Sequence, residues 1–245
     1  GYCSLFSLVT GTGATAIGTC AFRLGTTLVN ATALGNSAGG NSTSVTDGTY
    51  LGFDAGARLN SLRTTVVGSG AGFSTLASTT TDGVFIGYQS GYCAQTQCYN
   101  TAVGSKSMFC ITSGNNNVAV GTCAGFGLTT GCQNTLLGYC SGSQMTQGSN
   151  NVLVGSSAGA AITLGSFNTA LGNCALEALT TSCYNVAVGY LAGNSLQTGD
   201  KNVFVGREAG LLQTSGCSNV FVGNKAGRGS VSSHQNVALG GGSME

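Results

Sequence analysis

The 245-residue sequence contains no proline, no tryptophan and a single histidine, and only 6% of its residues are charged. An average soluble protein is about one-quarter charged. With a net charge of +1, the chain lacks the basic surface that binding to nucleic acid or to an anionic membrane requires. It also lacks an apolar run approaching the roughly 20 residues that span a bilayer. We therefore expect neither a nucleic-acid partner nor membrane insertion.

Glycine is abundant, with 42 residues, and much of it is periodic. One glycine recurs every 17 residues, apart from one interval of 16 (Gly52 to Gly68) and one of 19 (Gly68 to Gly87). A fixed short period over a whole chain predicts a repeat architecture. We interpret residues 1–245 as one array, less regular over 1–99 and regular over 100–240. The repeat glycines after Gly1 are Gly18, Gly35, Gly52, Gly68, Gly87, Gly104, Gly121, Gly138, Gly155, Gly172, Gly189, Gly206, Gly223 and Gly240.

Positions in each repeat are counted from this glycine as position 0. Position −1 is aliphatic and position −3 is Val or Thr in every copy, while position +3 is Ala or Ser. Position +4 is often Gly, and several repeats carry an apolar residue at +7 followed by Thr. This pattern predicts a strand, a tight turn, a weaker strand and a second turn. Because side chains alternate across a strand, we interpret −3 and −1 as the buried face and −2 as the outward face.

A unit of 17 residues is too short to fold alone, but it can form one coil of a parallel β-solenoid whose coils pair with their neighbours. The sequence therefore predicts an all-β parallel solenoid (a β-roll or β-helix) of about fourteen coils. Paired helices are disfavoured by the frequent Gly, Thr and Val.

An asparagine precedes the strand at position −4 in nine consecutive repeats. Stacked amides can hydrogen-bond to the coils above and below as an Asn ladder, which we favour over a ligand-binding row. The first coils carry Ala14, Ala31, Gly48, Thr64 and Gly83 at this position instead. The nine residues are Asn100, Asn117, Asn134, Asn151, Asn168, Asn185, Asn202, Asn219 and Asn236.

Large apolar residues recur at position −2. If they face away from a thin core, a rod with so few charges would expose an apolar stripe, which favours burial against another chain. The alternative is a rod with scattered surface aromatics. The residues are Tyr50, Val66, Phe85, Leu136, Leu153, Phe204 and Phe221.

The eleven cysteines fall into three columns, at positions +2, +6 and +11. Cysteines one coil apart in one column would have Cα atoms about 4.8 Å apart, within the disulfide range of about 4.4–6.8 Å. Such staples would imply an oxidising location. The alternative is that these cysteines are small apolar fillers, and no spacing indicates a zinc cluster. The candidate pairs are Cys3 with Cys20, Cys93 with Cys110, and Cys123 with Cys140.

Catalysis is not predicted. The single histidine is His234, and no two acidic residues share a column in adjacent coils, so paired carboxylates at glycosidase spacing are not indicated. We expect no enzyme, no cofactor and no metal site. The acidic residues are Asp47, Asp54, Asp82, Glu177, Asp200, Glu208 and Glu245.

The motifs NTAVG (100–104), NNVAVG (116–121) and YNVAVGYLAG (184–193) resemble the Asn-Thr-Ala-Val-Gly repeats of phage and viral tail-fibre proteins. They are also similar to the head repeats of trimeric autotransporter adhesins. The resemblance covers nearly the whole chain, most strongly residues 100–240. It implies a left-handed parallel β-roll and the association of three chains about a common axis.

These observations predict a structural fibre or shaft of an extracellular appendage, on a virion or cell surface, whose main partner is another copy of itself. Recognition of a cell-surface receptor or glycan would use exposed turn residues such as Tyr139, Tyr190, Lys225 and Arg228. One alternative is a self-assembling extracellular filament. Another is an ice-binding solenoid, although adjacent threonines such as Thr129 and Thr130 point to opposite faces and argue against a double rank.

Overall fold

The computed structural model describes residues 1–74 and 78–244. The chain is an all-β parallel solenoid of about 13 turns with a spacing near 17 residues, which confirms the predicted fold class. None of the described residues forms an α-helix. Accordingly, this part of the chain contains no helix with the length and apolarity needed to cross a membrane. The chain divides into two compact units, Gly1–Thr122 and Cys123–Glu245.

The first unit contains two parallel sheets. The strands beside the repeat glycines form one sheet, in the order β2, β4, β6, β8, β10, β12 and β13. The strands across the coil form the other sheet, in the order β1, β3, β5, β7, β9 and β11. The strands are β1 (Thr10–Thr12), β2 (Thr15–Ile17), β3 (Thr27–Val29), β4 (Thr32–Leu34), β5 (Ser44–Thr46), β6 (Thr49–Leu51), β7 (Leu59–Leu62), β8 (Thr65–Val67), β9 (Ser78–Thr81), β10 (Val84–Ile86), β11 (Gln97–Cys98), β12 (Thr101–Val103) and β13 (Val118–Val120).

The second unit has one sheet, built from the strands beside the repeat glycines. Across the coil, its described residues form no strand, and the coils are joined there by hydrogen bonds and by one isolated bridge, Thr198 with Ser215. The weaker strand predicted for every repeat therefore forms only in the first unit. The strands are β14 (Thr135–Leu137), β15 (Val152–Val154), β16 (Thr169–Leu171), β17 (Val186–Val188), β18 (Val203–Val205), β19 (Val220–Val222) and β20 (Val237–Leu239).

Neighbouring strands keep one register throughout each unit. Val186 pairs with Val203, one repeat later. The same register holds where the repeat length changes, because Thr49 pairs with Thr65 and Thr65 pairs with Val84. The missing and extra residues of the irregular repeats are therefore accommodated outside these strands.

The predicted orientation of the strand side chains is wrong. Position −2 faces the core, whereas positions −3 and −1 face outward and are half-buried or exposed. The stripe expected at the surface is thus the hydrophobic core, and its members Tyr50, Val66, Phe85, Leu136, Leu153, Phe204 and Phe221 are fully buried.

Size compensation between positions −2 and +4 gives the physical reason. A side chain at Gly91 would collide with the ring of Phe85, the −2 residue of the same turn. Where +4 is large instead, as at the fully buried Leu176, the adjoining −2 residues Ala170 and Ala187 are small. Both positions fill one space, and close packing allows only one of them to be bulky.

The turn after the strand is as tight as predicted. The Ala or Ser at +3 is buried, for example Ala158 and Ser141, which places it at an inside corner. The repeat glycine has a backbone that only glycine can supply. At Gly155 the φ angle is 136°, and a Cβ there would lie 2.6 Å from the carbonyl carbon of Gly172 in the next coil.

Candidate functional site

The asparagines at position −4 line one corner of the coil. They are buried, except that Asn236 is half-buried. Asn168 illustrates the pattern, because its backbone N–H and its Nδ2 both donate to Oδ1 of Asn151, at 2.9 and 3.2 Å. Its Nδ2 also donates to the carbonyl oxygen of Ser182, at 2.8 Å. The same links to the preceding Asn occur at Asn117 in the first unit and at each Asn from 151 to 236 in the second.

The amide bonds of this column are directed into the protein. Each inner Asn accepts twice at Oδ1 and donates twice from Nδ2, so little capacity remains for a ligand. The column begins where Gln97 Oε1 accepts from Nδ2 of Asn100, since the preceding coil has Gly83 at this position. In the second unit, whose described residues form no second sheet, this column of asparagines links each coil to the next.

The hydroxyl groups of the second unit are used in a similar way. At position +8, Oγ1 of Thr129 donates to the carbonyl oxygen of Thr146 at 2.9 Å, and Oγ1 of Thr180 donates to that of Gln197 at 3.1 Å. Because these hydroxyl groups donate to backbone carbonyl oxygens of the next coil, the +8 column does not present a row of unbonded hydroxyl groups of the kind that ice binding would use.

Positions −3 and −1 of the strands beside the repeat glycines form what we call the outward aliphatic face. Val118, Val120 and Val152 are 38%, 40% and 39% exposed. In the second unit every −1 residue is Val or Leu, and every −3 residue is Val or Thr. No charged residue interrupts this face in either unit.

The cysteine columns contain half-buried thiols, and the described residues contain no disulfide bond. Burial raises the pKa of the Cys93 thiol. Burial also raises the pKa of the Cys110 thiol, and the neighbouring Cys93 adds to that shift. Cys93 and Cys110, one of the three predicted pairs, therefore lie close together as free thiols. Burial likewise raises the pKa of Cys174.

Titratable groups are engaged in structural contacts. Nδ1 of His234 accepts the backbone N–H of Cys217 at 3.1 Å, and Oδ1 of Asp200 accepts that of Cys183 at 2.7 Å. Glu208, which is 7% exposed, is contacted by two arginines. No group of three or more His, Cys, Asp or Glu residues within the described residues could hold a metal ion. Glu245 lies outside the described residues.

The four turn residues predicted to serve in recognition differ in accessibility. Tyr139 and Tyr190 are 60% and 50% exposed. Lys225 and Arg228 are half-buried, and Nε of Arg228 lies 3.1 Å from Oε2 of Glu208. The two tyrosines are therefore the more accessible of the four residues.

An aromatic stack at position +5 was missed by the sequence analysis. Phe73 and Tyr92 stack with ring centroids 4.8 Å apart and an interplanar angle of 16°. Tyr92 stacks in turn on Phe109, at 5.0 Å and 5°. The signal in the sequence is an aromatic residue at one repeat position in four consecutive coils, Phe73, Tyr92, Phe109 and Phe126.

Comparison with models of protein families gave no match, and neither curated proteins nor solved structures matched the chain. Support for a function therefore comes from the geometry of this fold alone.

Proposed function

We propose that the chain is a structural shaft of an extracellular appendage, such as a viral or phage fibre or a surface adhesin. In this proposal, copies of the chain associate through the outward aliphatic face. The observation that carries the proposal is the unbroken run of Val, Leu, Ile and Thr at positions −3 and −1. These side chains remain partly exposed in a single chain.

The energetic argument rests on the length of that face. Fully burying one Val or Leu side chain stabilises by about 1.5–3 kcal/mol. Each residue here is already partly covered, so it contributes only a fraction of that amount. The seven strands of the second unit nevertheless supply fourteen positions, of which twelve are Val or Leu and two are Thr, and contiguous apolar surface of this kind is typical of interfaces. Three copies about a common axis is the assembly that the resemblance to fibre and adhesin repeats implies.

A charge placed on the outward aliphatic face tests the proposal. We expect Val152→Lys to keep the β-sheet circular dichroism of the wild type but to reduce the native mass to that of one chain, measured by size exclusion with light scattering. Gln144→Lys is the matched control, because Gln144 is an exposed turn residue of the same unit. An unchanged mass for Val152→Lys would contradict the proposal, and polymers far larger than three chains would favour the filament alternative.

An extracellular location also bears on the cysteines. Under oxidising conditions, we propose that the thiols of Cys93 and Cys110 close a disulfide between neighbouring coils. Thiol titration before and after mild oxidation tests this, and the expected result is that Cys93→Ser loses two fewer thiols than the wild type. Equal loss in both proteins would contradict it.

The second sheet of the first unit favours one further candidate function, ice binding. Its outward positions form two ranks two residues apart, so the sequence argument against a double rank does not hold for this unit. Thr10 and Thr12 occupy both ranks in β1, and Thr79 and Thr81 occupy both in β9. Oγ1 of Thr10 lies 3.4 Å from Oγ1 of Thr27 in β3. Thermal hysteresis that is lost in Thr27→Lys would support this function, and its absence from the wild type would exclude it.

A further inference from the structure

A small cleft opens on the turns of the first unit, on the side of the aromatic stack. Its volume is about 260 Å³, just below the range of about 300–1,000 Å³ for small-molecule sites. Its walls and rim include Phe53, Asp54, Phe73, Tyr88, Gln89 and Tyr92.

The cleft exists because one coil has very small turn residues. Ser69 and Gly70 occupy positions +1 and +2 of this coil, and the adjoining coils carry Phe53 and Tyr88 at position +1. The coils remain paired there, since Gly70 N–H donates to the carbonyl oxygen of Phe53 at 2.8 Å. The two aromatic coils are therefore two coil spacings apart, about 9–10 Å, with a gap between them.

The aromatic walls are of two kinds. Phe53 and Tyr88 are 56% and 52% exposed, so their ring faces are accessible. Phe73 and Tyr92 form a fixed wall, because each is held in the aromatic stack and the guanidinium of Arg58 lies 6.0 Å from the Phe73 ring centroid. Because Phe73 and Phe109 cover both faces of Tyr92, the stack presents ring edges to the cleft. A ring entering the cleft would pack on the exposed rings of Phe53 and Tyr88.

Polar groups at the same cleft specify what could enter it. Asp54, Ser69 and Gln89 also line the cleft. Partial burial raises the pKa of the Asp54 carboxyl, against the effect of a hydrogen bond with Ser37. A purely apolar partner would further desolvate this carboxylate without offering it a donor, which is unfavourable. A phosphate would meet the negative charge of Asp54.

We propose that this cleft binds a neutral saccharide. A pyranose ring has a face of C–H groups that packs on aromatic rings, whose faces carry negative charge density. It also has hydroxyl groups around its edge that can donate to Asp54 and exchange hydrogen bonds with Gln89. A neighbouring hollow of about 370 Å³ shares Asp54 and Phe73 with the cleft, so an oligosaccharide has room to extend along the turns. This binding site goes beyond the shaft function and does not depend on it.

Gly70 provides a variant that fills the cleft with little disturbance of the coil. Its φ is 63°, and the same position is occupied by Asp54 and Gln89 at φ 52° in the adjoining coils. A Cβ at Gly70 would meet no atom closer than 3.5 Å. We therefore expect Gly70→Gln to fold as the wild type does, with a side chain occupying the space between Phe53 and Tyr88.

The experiment measures binding of cello-, malto- and chito-oligosaccharides by calorimetry and by tyrosine fluorescence, since the chain has no tryptophan. We expect at least one of these to bind the wild type with a Kd of about 1 mM or tighter. Gly70→Gln should weaken that binding at least about tenfold. Tyr139→Ala should leave it unchanged, because Tyr139 is an exposed +1 tyrosine outside the cleft.

Three results would overturn the proposal. The first is that none of the three saccharide classes binds the wild-type protein. The second is binding that survives in Gly70→Gln while its circular dichroism and melting temperature match the wild type. The third is a change in the native mass of Gly70→Gln, which would show that the cleft holds a second copy of the chain instead.

Discussion

Removing one inner rung of the asparagine column should destabilise the second unit strongly. In Asn168→Ala, the backbone N–H of Asn185 loses its acceptor at 3.0 Å, and the carbonyl oxygen of Ser182 loses its donor at 2.8 Å. The buried side chain of Asn168 makes two more bonds, but their partners, Oδ1 of Asn151 and Nδ2 of Asn185, each keep another hydrogen bond. An unsatisfied buried polar group costs about 1–3 kcal/mol, so two of them predict a loss of about 2–6 kcal/mol in the free energy of unfolding.

Two further variants make this prediction specific to the column. Asn173→Ala removes an exposed asparagine from the adjacent turn and should change stability by less than about 0.5 kcal/mol. Asn236→Ala should cost less than Asn168→Ala, because Asn236 is half-buried and its Nδ2 makes a longer bond of 3.3 Å to Asn219.

The assay is urea unfolding followed by circular dichroism, combined with amide hydrogen exchange. We expect the Asn168→Ala midpoint to fall well below that of Asn173→Ala, and exchange to accelerate at the N–H of Asn185. If the two variants unfold at the same urea concentration, the buried amide bonds contribute nothing net, and the reasoning is refuted.

Three other predictions concern side-chain orientation, the repeat glycine and alkaline pH. Leu153→Ala should lower the free energy of unfolding by about 2–5 kcal/mol. Leu153→Lys should abolish the circular dichroism of the folded protein, whereas Val152→Lys should retain it. Equal behaviour of the two lysine variants would contradict the inward position of Leu153. Gly155→Ala should lower the free energy of unfolding by at least about 2 kcal/mol, and with it the melting temperature, because Gly155 has a positive φ and an added Cβ would collide with the carbonyl group of Gly172. An unchanged melting temperature would show that the two coils move apart easily. Burial raises the pKa of Tyr50 above its ordinary value. The stability linked to its neutral phenol is therefore full below about pH 10 and is lost as the pH rises above it. A spectroscopic titration would refute this if Tyr50 ionised in the folded protein together with the exposed tyrosines.

Periodicity alone predicted the coil, its tight corner and its glycine, because each depends on a local requirement that recurs unchanged. The buried +3 residue and the positive φ of the +4 glycines follow from the need to turn sharply within a few residues. A position that is always Ala or Ser, like +3, or always Gly, like position 0, shows that requirement directly in the sequence.

The face of the strand could not be assigned by asking which position is most uniformly apolar. Positions −3 and −1 are uniformly aliphatic, yet they face outward, while the variable position −2 is the core. The informative signal was covariation in size. Phe85 accompanies Gly91, and Leu176 accompanies Ala170 and Ala187, as expected of side chains that share one space.

The second sheet and the cleft depended on relations that no single repeat contains. β-branched residues two positions apart, as at Thr27 and Val29 of β3 and at Thr79 and Thr81 of β9, face outward from the second sheet of the first unit, whereas buried asparagine amides link the coils of the second unit. The cleft requires two small residues, Ser69 and Gly70, between two coils with aromatic turn residues. It becomes visible only when neighbouring coils are placed in register.

Sedimentation equilibrium of the unmodified chain, with and without reductant, tests the central claim most directly. The account predicts a species of three chains of 24.2 kDa each under both conditions, because the outward aliphatic face rather than a disulfide joins the copies. A single chain in both conditions would contradict the account, since the aliphatic face would then remain exposed to water without a partner.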